Sequence, residues 1–378
     1  MKAYVLNGIN QLKYEEVEKP LLTEGWVLVK VGAAGICESD IPRIYQTGTY
    51  HFPTIPGHEF AGMVVEVHDE EHRSWMGKRV GVFPLIPCKE CYVCQEGKYE
   101  MCRNYDYLGS RRDGGFAEYV AVPVWNLIEL PDEISMEEAA LLEPASVARH
   151  AVQRLQVTPE DTVVVYGLGT IGIMITQWLY ILGVKKVYAI GHHMEHGELM
   201  KQTASSEYEY LNTDKTSHSE YKVEGIQDKH CNGELANGNE AELAISWIME
   251  HTNGQGASIV IDCVSSSETL SACLNCVRPG GQLLAVGNPK GDIELDKASY
   301  WKVLRNQIRM TGTWNSSFCH SKEDDWHQVI EACSNGTLKL SQMITHKLPF
   351  EQLEEGLLIA KERREYRNKI VICGKENR

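Results

Sequence analysis

The sequence is short of positive charge. Its 37 Lys and Arg stand against 52 Asp and Glu, a formal net charge of −15. Such a surface repels the backbone of nucleic acids and the anionic face of a membrane. A small phosphorylated ligand needs only a local basic cluster and is not excluded. No apolar run approaches the roughly 18 residues of a membrane span. The opening stretch, MKAYVLNGINQLKYEEV, lacks the basic start and apolar core of a secretory signal, so the expectation is a cytoplasmic chain. There are no internal repeats and no low-complexity tract. At 378 residues the chain is long enough for two domains with sizeable cores.

Cysteine is plentiful but unevenly placed. Four of the twelve, Cys88, Cys91, Cys94 and Cys102, fall within fifteen residues, among Lys89, Glu90, Gln95, Glu96 and Lys98. In a cytoplasmic chain that clustering points to metal rather than to disulfides. Four thiolates at this spacing complete a tetrahedral zinc shell and leave no open position, so the role is structural.

A second constellation is more dispersed. Cys37 lies in Gly35-Ile36-Cys37-Glu38-Ser39-Asp40, and His58 and Glu59 in Gly57-His58-Glu59-Phe60. Alone, a cysteine in a small-residue turn is more often buried than a ligand. Together the three residues offer a thiolate, an imidazole and a carboxylate, the donor types of an open catalytic zinc site. Glu143 ends the apolar run Ala139–Leu142 and precedes Pro144. A carboxylate there is costly to bury unpaired. Either a metal or a substrate hydroxyl lies near it, or it is a surface residue before a helix-breaking proline. A helix over 136–154 is expected, capped by Ser135 with Glu137 and Glu138 in its first turn.

The centre of the chain is Thr162 to Gly172, TVVVYGLGTIG. A short apolar strand runs into Gly167, Gly169 and Gly172, spaced G-x-G-x-x-G, and Thr170 and Ile171 open a helix. This order suits a dinucleotide. The first glycine makes the turn, the second admits the pyrophosphate, the third lets helix and strand pack, and the helix N-terminus faces the phosphates. Val187 to Ile190 reads as the next parallel strand. The acid that ordinarily holds a ribose hydroxyl is missing after it, where Gly191-His192-His193 stand. Without that acid a 2′-phosphate meets no repulsion, so NADP is an alternative to NAD.

The βαβ pattern covers 146–314. Within it, 203–242 reads as a polar, irregular, acidic insertion holding Cys231. Later elements are expected at 244–251 (helix), 258–264 (strand), 268–277 (helix), 282–287 (strand) and 308–314 (strand). Cys273 and Cys276 sit on the helical face and read as packing. Residues 1–145 and 315–378 flank this section and fold together. Their strands are expected at 1–35, 60–67, 79–84, 116–122 and 369–373, mostly antiparallel. The Arg111-Arg112 pair beside Asp113-Gly114-Gly115 reads, taken alone, as a solvated basic turn.

These motifs, in this order and spacing, resemble the zinc-containing medium-chain dehydrogenase/reductase family of alcohol and polyol dehydrogenases over nearly the whole chain. The residues that carry the resemblance are Gly35 to Asp40, Gly57 to Phe60, the four-cysteine lobe, Gly115-Phe116-Ala117-Glu118-Tyr119, Glu143-Pro144 and the glycine turn. Ser39 to Ile44, Pro84 to Cys88 and Tyr105 to Tyr119 are similar to the galactitol-1-phosphate branch. The resemblance implies an α/β chain with a GroES-like, mostly antiparallel β catalytic domain and a Rossmann doubly wound cofactor domain. It implies two zinc ions and NAD. Cys37, His58 and Glu143 match the catalytic-zinc ligands, and Glu59 a carboxylate that replaces one of them or sits behind them. Ser39 matches the hydroxyl beside the reacting alcohol, and Gly167, Gly169, Thr170, Ile171, Gly172, Gly191 and His192 match cofactor positions. The implied substrate is a polyol or a polyol phosphate (galactitol 1-phosphate to tagatose 6-phosphate in type), with Arg43, Arg111 or Arg112 on the phosphate. Some relatives carry a relay histidine five residues past the cysteine, where this chain has Pro42. A homodimer or homotetramer joined near Leu283 to Val286 is also implied.

Overall fold

The computed structural model describes residues 1–214, 240–363 and 365–374. The chain divides into two compact units, Met1–His150 with Trp314–Arg378, and Ala151–Thr313.

In the first unit one sheet runs Ile344–Pro349, Lys369–Cys373, Trp26–Gly35, Glu59–Val67, Arg79–Val82, Leu127–Glu129, and Tyr119–Pro123 adds to Trp26–Gly35. Every pairing is antiparallel except that of Ile344–Pro349 with Lys369–Cys373. The apolar residues of these strands close on a core that includes Val29, Phe60, Val64, Val80, Phe116, Leu353 and Ile370. The register is what matters for function. Gly35 lies opposite Glu59 on one side and Val371 on the other. The end of one strand and the starts of its two neighbours therefore meet at one edge, bringing together residues far apart in sequence.

Two local expectations are corrected. The strand expected from Phe116 begins only at Tyr119. The N–H groups of Gly114, Gly115 and Phe116 are drawn away to the carbonyls of Ile55, Gly57 and Pro56 at 2.7, 2.7 and 3.0 Å. The helix expected over 136–154 is two helices, Met136–Ala139 and Leu142–Gln153, the first closed by a capping box between Ser135 and Glu138. Pro144 therefore falls in the first turn of the second helix, where its missing N–H has no partner to lose. Glu143 beside it is buried, which overturns the surface reading.

The second unit is a six-stranded parallel sheet in the order Glu209–Asn212, Lys186–Gly191, Thr162–Tyr166, Ala257–Asp262, Val277–Ala285, Arg309–Gly312. Numbered along the chain this is 3-2-1-4-5-6, the doubly wound dinucleotide topology, whose strand order reverses between the first and fourth strands. The expected insertion over 203–242 is shorter than the composition suggests. Glu209–Asn212 is a sheet strand paired with Tyr188–Gly191, and the helix Glu240–His251 starts before its expected Ala244. Cys231 lies outside the described residues. Leu283 and Leu284 are fully buried on an interior strand, so 283–286 offers no free edge to another subunit; Arg309–Gly312 is the outer strand on that side. Cys273 and Cys276 are buried in the core of this unit, and burial pushes the Cys276 thiol up to about 12, consistent with packing. Among the described residues no helix is long and apolar enough to cross a membrane.

Candidate functional site

The four-cysteine lobe gathers as its spacing predicts. Its sulfur atoms lie within 4.8 Å of one another, with Cys91 Sγ 3.5 Å from Cys94 Sγ and 4.0 Å from Cys102 Sγ. Sulfurs at the corners of a zinc tetrahedron stand about 3.8 Å apart, and none of the four is in a disulfide. Backbone N–H groups favour thiolate at Cys88 and Cys91, whereas burial pushes the Cys94 and Cys102 thiols up. The N–H groups of Arg103 and Cys94 pull the Cys91 thiol down to about 6, and that of Cys91 donates to Cys88 Sγ at 3.4 Å. The donor set fits a closed zinc site.

The second group sits at the sheet edge described above. Cys37 follows the strand that ends at Gly35, and Glu59 opens the next one with His58 just before it; their ligand atoms also lie within 4.8 Å of one another. The Ser39 hydroxyl donates to Cys37 Sγ at 3.3 Å. His58 is buried, and Asp40 Oδ1 stands 3.4 Å from its Nδ1 without completing a hydrogen bond. Burial opposes the imidazolium, yet Asp40 and Cys37 outweigh it and hold the His58 pKa well above its ordinary value. Sulfur, nitrogen and carboxylate converge here, and the buried His58 Nδ1 completes no hydrogen bond; the donor set fits a zinc ion. Glu143 is not in this ligand cluster. It stands beside it, where burial pushes its carboxyl up to about 7.

Three residues of the site escape sequence reasoning. Lys369 opens the strand Lys369–Cys373 and forms a buried ion pair with Glu59. A lysine heading the apolar run KIVIC was the available signal. Tyr107 donates from its hydroxyl to Glu143 Oε1 at 3.4 Å, and its ring lies 5.9 Å from that of His58. Asp40 accepts from the Cys37 N–H at 3.0 Å and holds Arg43 Nη1 at 3.3 Å. Of the candidate phosphate residues, Arg43 is therefore tied to Asp40, Arg112 Nε donates to Asp106 Oδ2 at 2.7 Å, and Arg111 packs between Tyr50 and Tyr105. The turn is not simply solvated, for Arg111 Nε is buried.

In the second unit Gly167 leaves the first strand at the point where strand order reverses, with φ +97°, and a Cβ there would meet Val264 at 2.6 Å. A Cβ on Gly172 would strike the Gly167 carbonyl at 2.3 Å, so helix and turn pack that closely only with glycine. At Gly169 a Cβ would meet nothing within 4 Å. Gly169 also caps the helix Thr170–Ile181, whose first turn holds no acid. An open cradle at a helix N-terminus fits a pyrophosphate. Gly191 ends the second strand under the ring of Tyr210; a Cβ would come within 2.9 Å of that hydroxyl. Next to it, exposed His192 turns Nδ1 to Thr213 Oγ1 at 3.1 Å.

Residues 23–132 match the alcohol dehydrogenase GroES-like domain, and residues 170–335 match the zinc-binding dehydrogenase domain. The chain is 29% identical over 331 residues to galactitol 1-phosphate 5-dehydrogenase of Escherichia coli K12, covering 88% of each. It is 28% identical over 375 residues to erythritol/L-threitol dehydrogenase of Mycolicibacterium smegmatis, covering 94% of this chain and 93% of the other. Its fold superposes on an alcohol dehydrogenase of Escherichia coli solved with NADH, with a TM-score of 0.83, 26% identity and 99% of each chain covered. The chain belongs to the zinc-containing medium-chain dehydrogenases, as an alcohol and polyol dehydrogenase with a GroES-like and a Rossmann unit.

Proposed function

We propose that the protein oxidises a secondary hydroxyl of a sugar alcohol phosphate to the ketone, in the manner of galactitol 1-phosphate to tagatose 6-phosphate. The observation that carries this reading is the convergence of Cys37, His58 and Glu59 at one sheet edge, with Glu143 buried beside them. Cys37, His58 and Glu59, whose ligand atoms converge, would hold the catalytic zinc, with Glu143 as the neighbouring carboxylate that exchanges with Glu59; Cys88, Cys91, Cys94 and Cys102 would hold the structural one. When bound, zinc supplies a Lewis acid that makes the substrate hydroxyl more acidic, and the nicotinamide supplies the hydride acceptor.

The chain's own residues do the rest. Ser39 Oγ, beside Cys37 Sγ, takes the hydroxyl proton. As it accepts that proton it releases its own to water, because Pro42 has no group to continue the relay. Tyr107 orients Glu143 through its hydroxyl, and the Asp40 carboxylate faces His58 Nδ1 at 3.4 Å. The turn Gly167–Gly172 binds the dinucleotide pyrophosphate with the N–H groups around Thr170 and Ile171. NAD is the cofactor. With Gly191 in place of an acid, the chain has no carboxylate at that position to reject NADP. A second copy of the chain would pair at the open strand Arg309–Gly312, near exposed Met310 and Trp301, to make the homodimer.

The test is reduction of NAD and NADP by the zinc-loaded enzyme, with galactitol 1-phosphate and galactitol side by side. A kcat/KM at least tenfold higher for the phosphate supports the reading. Equal or better turnover of free polyols, as the threitol-acting relative suggests, replaces it with an unphosphorylated polyol dehydrogenase.

A further inference from the structure

Of the three arginines able to meet a substrate anion, two are already neutralised. Arg43 is paired with Asp40 and Arg112 with Asp106. Arg111 forms no ion pair with any carboxylate among the described residues, and its buried Nε has no hydrogen-bond partner. Its guanidinium carbon stands 4.0 Å from the ring centre of Tyr50 and 4.5 Å from that of Tyr105. Two aromatic faces can stabilise the flat faces of a guanidinium. The same two tyrosines also hydrogen-bond with the guanidinium, which leaves its buried Nε as the in-plane donor without a partner; in-plane N–H donors are the groups that grip an oxyanion.

The surroundings hold this cation in place. The N–H groups of Arg111 and Arg112 both donate to the Tyr107 carbonyl, at 2.9 and 3.0 Å. The Arg111 carbonyl is 3.0 Å from His51 Nε2, and the Tyr50 N–H donates to the Ser110 carbonyl at 3.3 Å. The loop bearing Tyr50 is thereby pinned to the turn bearing Arg111. Tyr105 in turn packs on Tyr107, with ring centres 6.2 Å apart, and Tyr107 touches both His58 and Glu143. The unneutralised cation thus stands one aromatic ring beyond the residue that borders the metal ligands.

We propose that Arg111, clamped between Tyr50 and Tyr105, is the receptor for a terminal oxyanion of the substrate, and that it sets selectivity for anionic over neutral polyols. This rests on the polyol-oxidising reading of the Cys37–His58 site, and it narrows the phosphate contact from three arginines to one. The oxyanion chemistry is shared by a phosphate and by the carboxylate of a sugar acid.

The experiment compares the wild-type holoenzyme with Arg111→Ala and Arg111→Lys. It measures kcat/KM for galactitol 1-phosphate, for the corresponding sugar acid and for galactitol, and competitive inhibition by inorganic phosphate. The expected result is that Arg111→Ala lowers the ratio of anionic to neutral kcat/KM about tenfold to a hundredfold, the scale of a charge-assisted contact. The loss falls on KM, Arg111→Lys recovers part of it, and inhibition by phosphate weakens in parallel. If the ratio changes for the sugar acid alone, the anion is a carboxylate. An unchanged ratio, with all substrates losing equally, overturns the proposal and makes the clamp a structural fastening. If the wild type prefers galactitol, the phosphate reading fails; Arg111 is then judged by inorganic phosphate alone, and inhibition that survives Arg111→Ala overturns its role too. Far-UV circular dichroism and zinc content identify a variant that has not folded, and Arg111→Lys then decides the matter.

Discussion

Lys369 and Glu59 form an ion pair that is almost wholly withdrawn from water, with 4% and 1% of their side chains exposed. The pair joins the last strand of the chain to the residue next to His58. Burial alone would discharge Lys369, but Glu59, Cys37 and Glu143 outweigh it and hold its pKa above the ordinary value. Glu59 is thus held by a cation of the protein beside Cys37 and His58.

Breaking this pair leaves a buried charge alone. Lys369→Met lowers unfolding free energy by about 3–5 kcal/mol. Glu59→Gln in the same chain restores part of the loss, because the two residues couple rather than add. Urea unfolding of both single variants and the double variant measures this. Additive losses would mean that the charges do not act as a pair.

Cys37→Ser removes a proposed zinc ligand without disturbing the sheet that ends at Gly35. Turnover falls about a thousandfold or more, since the Lewis acid supplies several kcal/mol at the reacting oxygen. Metal analysis gives one zinc per chain in place of two, with an unchanged circular dichroism spectrum. Full activity in this variant would remove Cys37 from the catalytic site.

Cys91→Ser acts on the other cluster and on stability. The lobe over residues 88–102 contains only the short helices Tyr92–Gln95 and Tyr99–Met101. Opening the proposed metal shell lowers stability by about 4 kcal/mol or more, the range reserved for loss of a metal or similar staple. A melting temperature equal to that of the wild type would argue against a structural zinc.

Asp325 gives a pH dependence of known sign. Its carboxylate accepts from Arg149 Nη1 at 2.7 Å, from the Ser317 N–H at 2.7 Å and the Ser317 hydroxyl at 2.8 Å, and meets His150 Nδ1 at 2.8 Å. Burial works to raise its pKa, but the bond to His150, the His150 charge and Ser317 hold it below the ordinary carboxylate value. A depressed folded pKa means stability that is present above about pH 4, the unfolded value, and lost as pH falls through the folded one. Asp325→Asn therefore costs about 3 kcal/mol at pH 7 and flattens the acid limb of stability against pH. Identical limbs for both proteins would show that Asp325 is not depressed.

Much of this protein could be read along the chain. The glycine turn needs a strand, three spaced glycines and a helix in one stretch, so Thr162–Tyr166 and Thr170–Ile181 were foreseeable. The four-cysteine lobe is likewise a local pattern, and Lys369–Cys373 coincides with the expected strand. The strand Glu209–Asn212 was hidden because its polar residues are half-exposed at the sheet's edge, where apolar patterning fades. Pro144 misled because proline breaks a helix interior but suits a first turn, and only the interruption at Ala140 and Leu141 tells which one applies.

The sequence by itself determined the fold class, both thiol-bearing metal patterns and the dinucleotide turn, because each depends on residue type and spacing within a short span. The tertiary structure decided which side chains complete the site. Lys369 reaches Glu59 from 310 residues away, Tyr107 reaches Glu143, and among the described residues Arg111, unlike Arg43 and Arg112, has no carboxylate partner. Those facts follow from strand register and loop packing, which unite distant segments through long-range hydrogen bonds and burial that no local pattern of residues encodes.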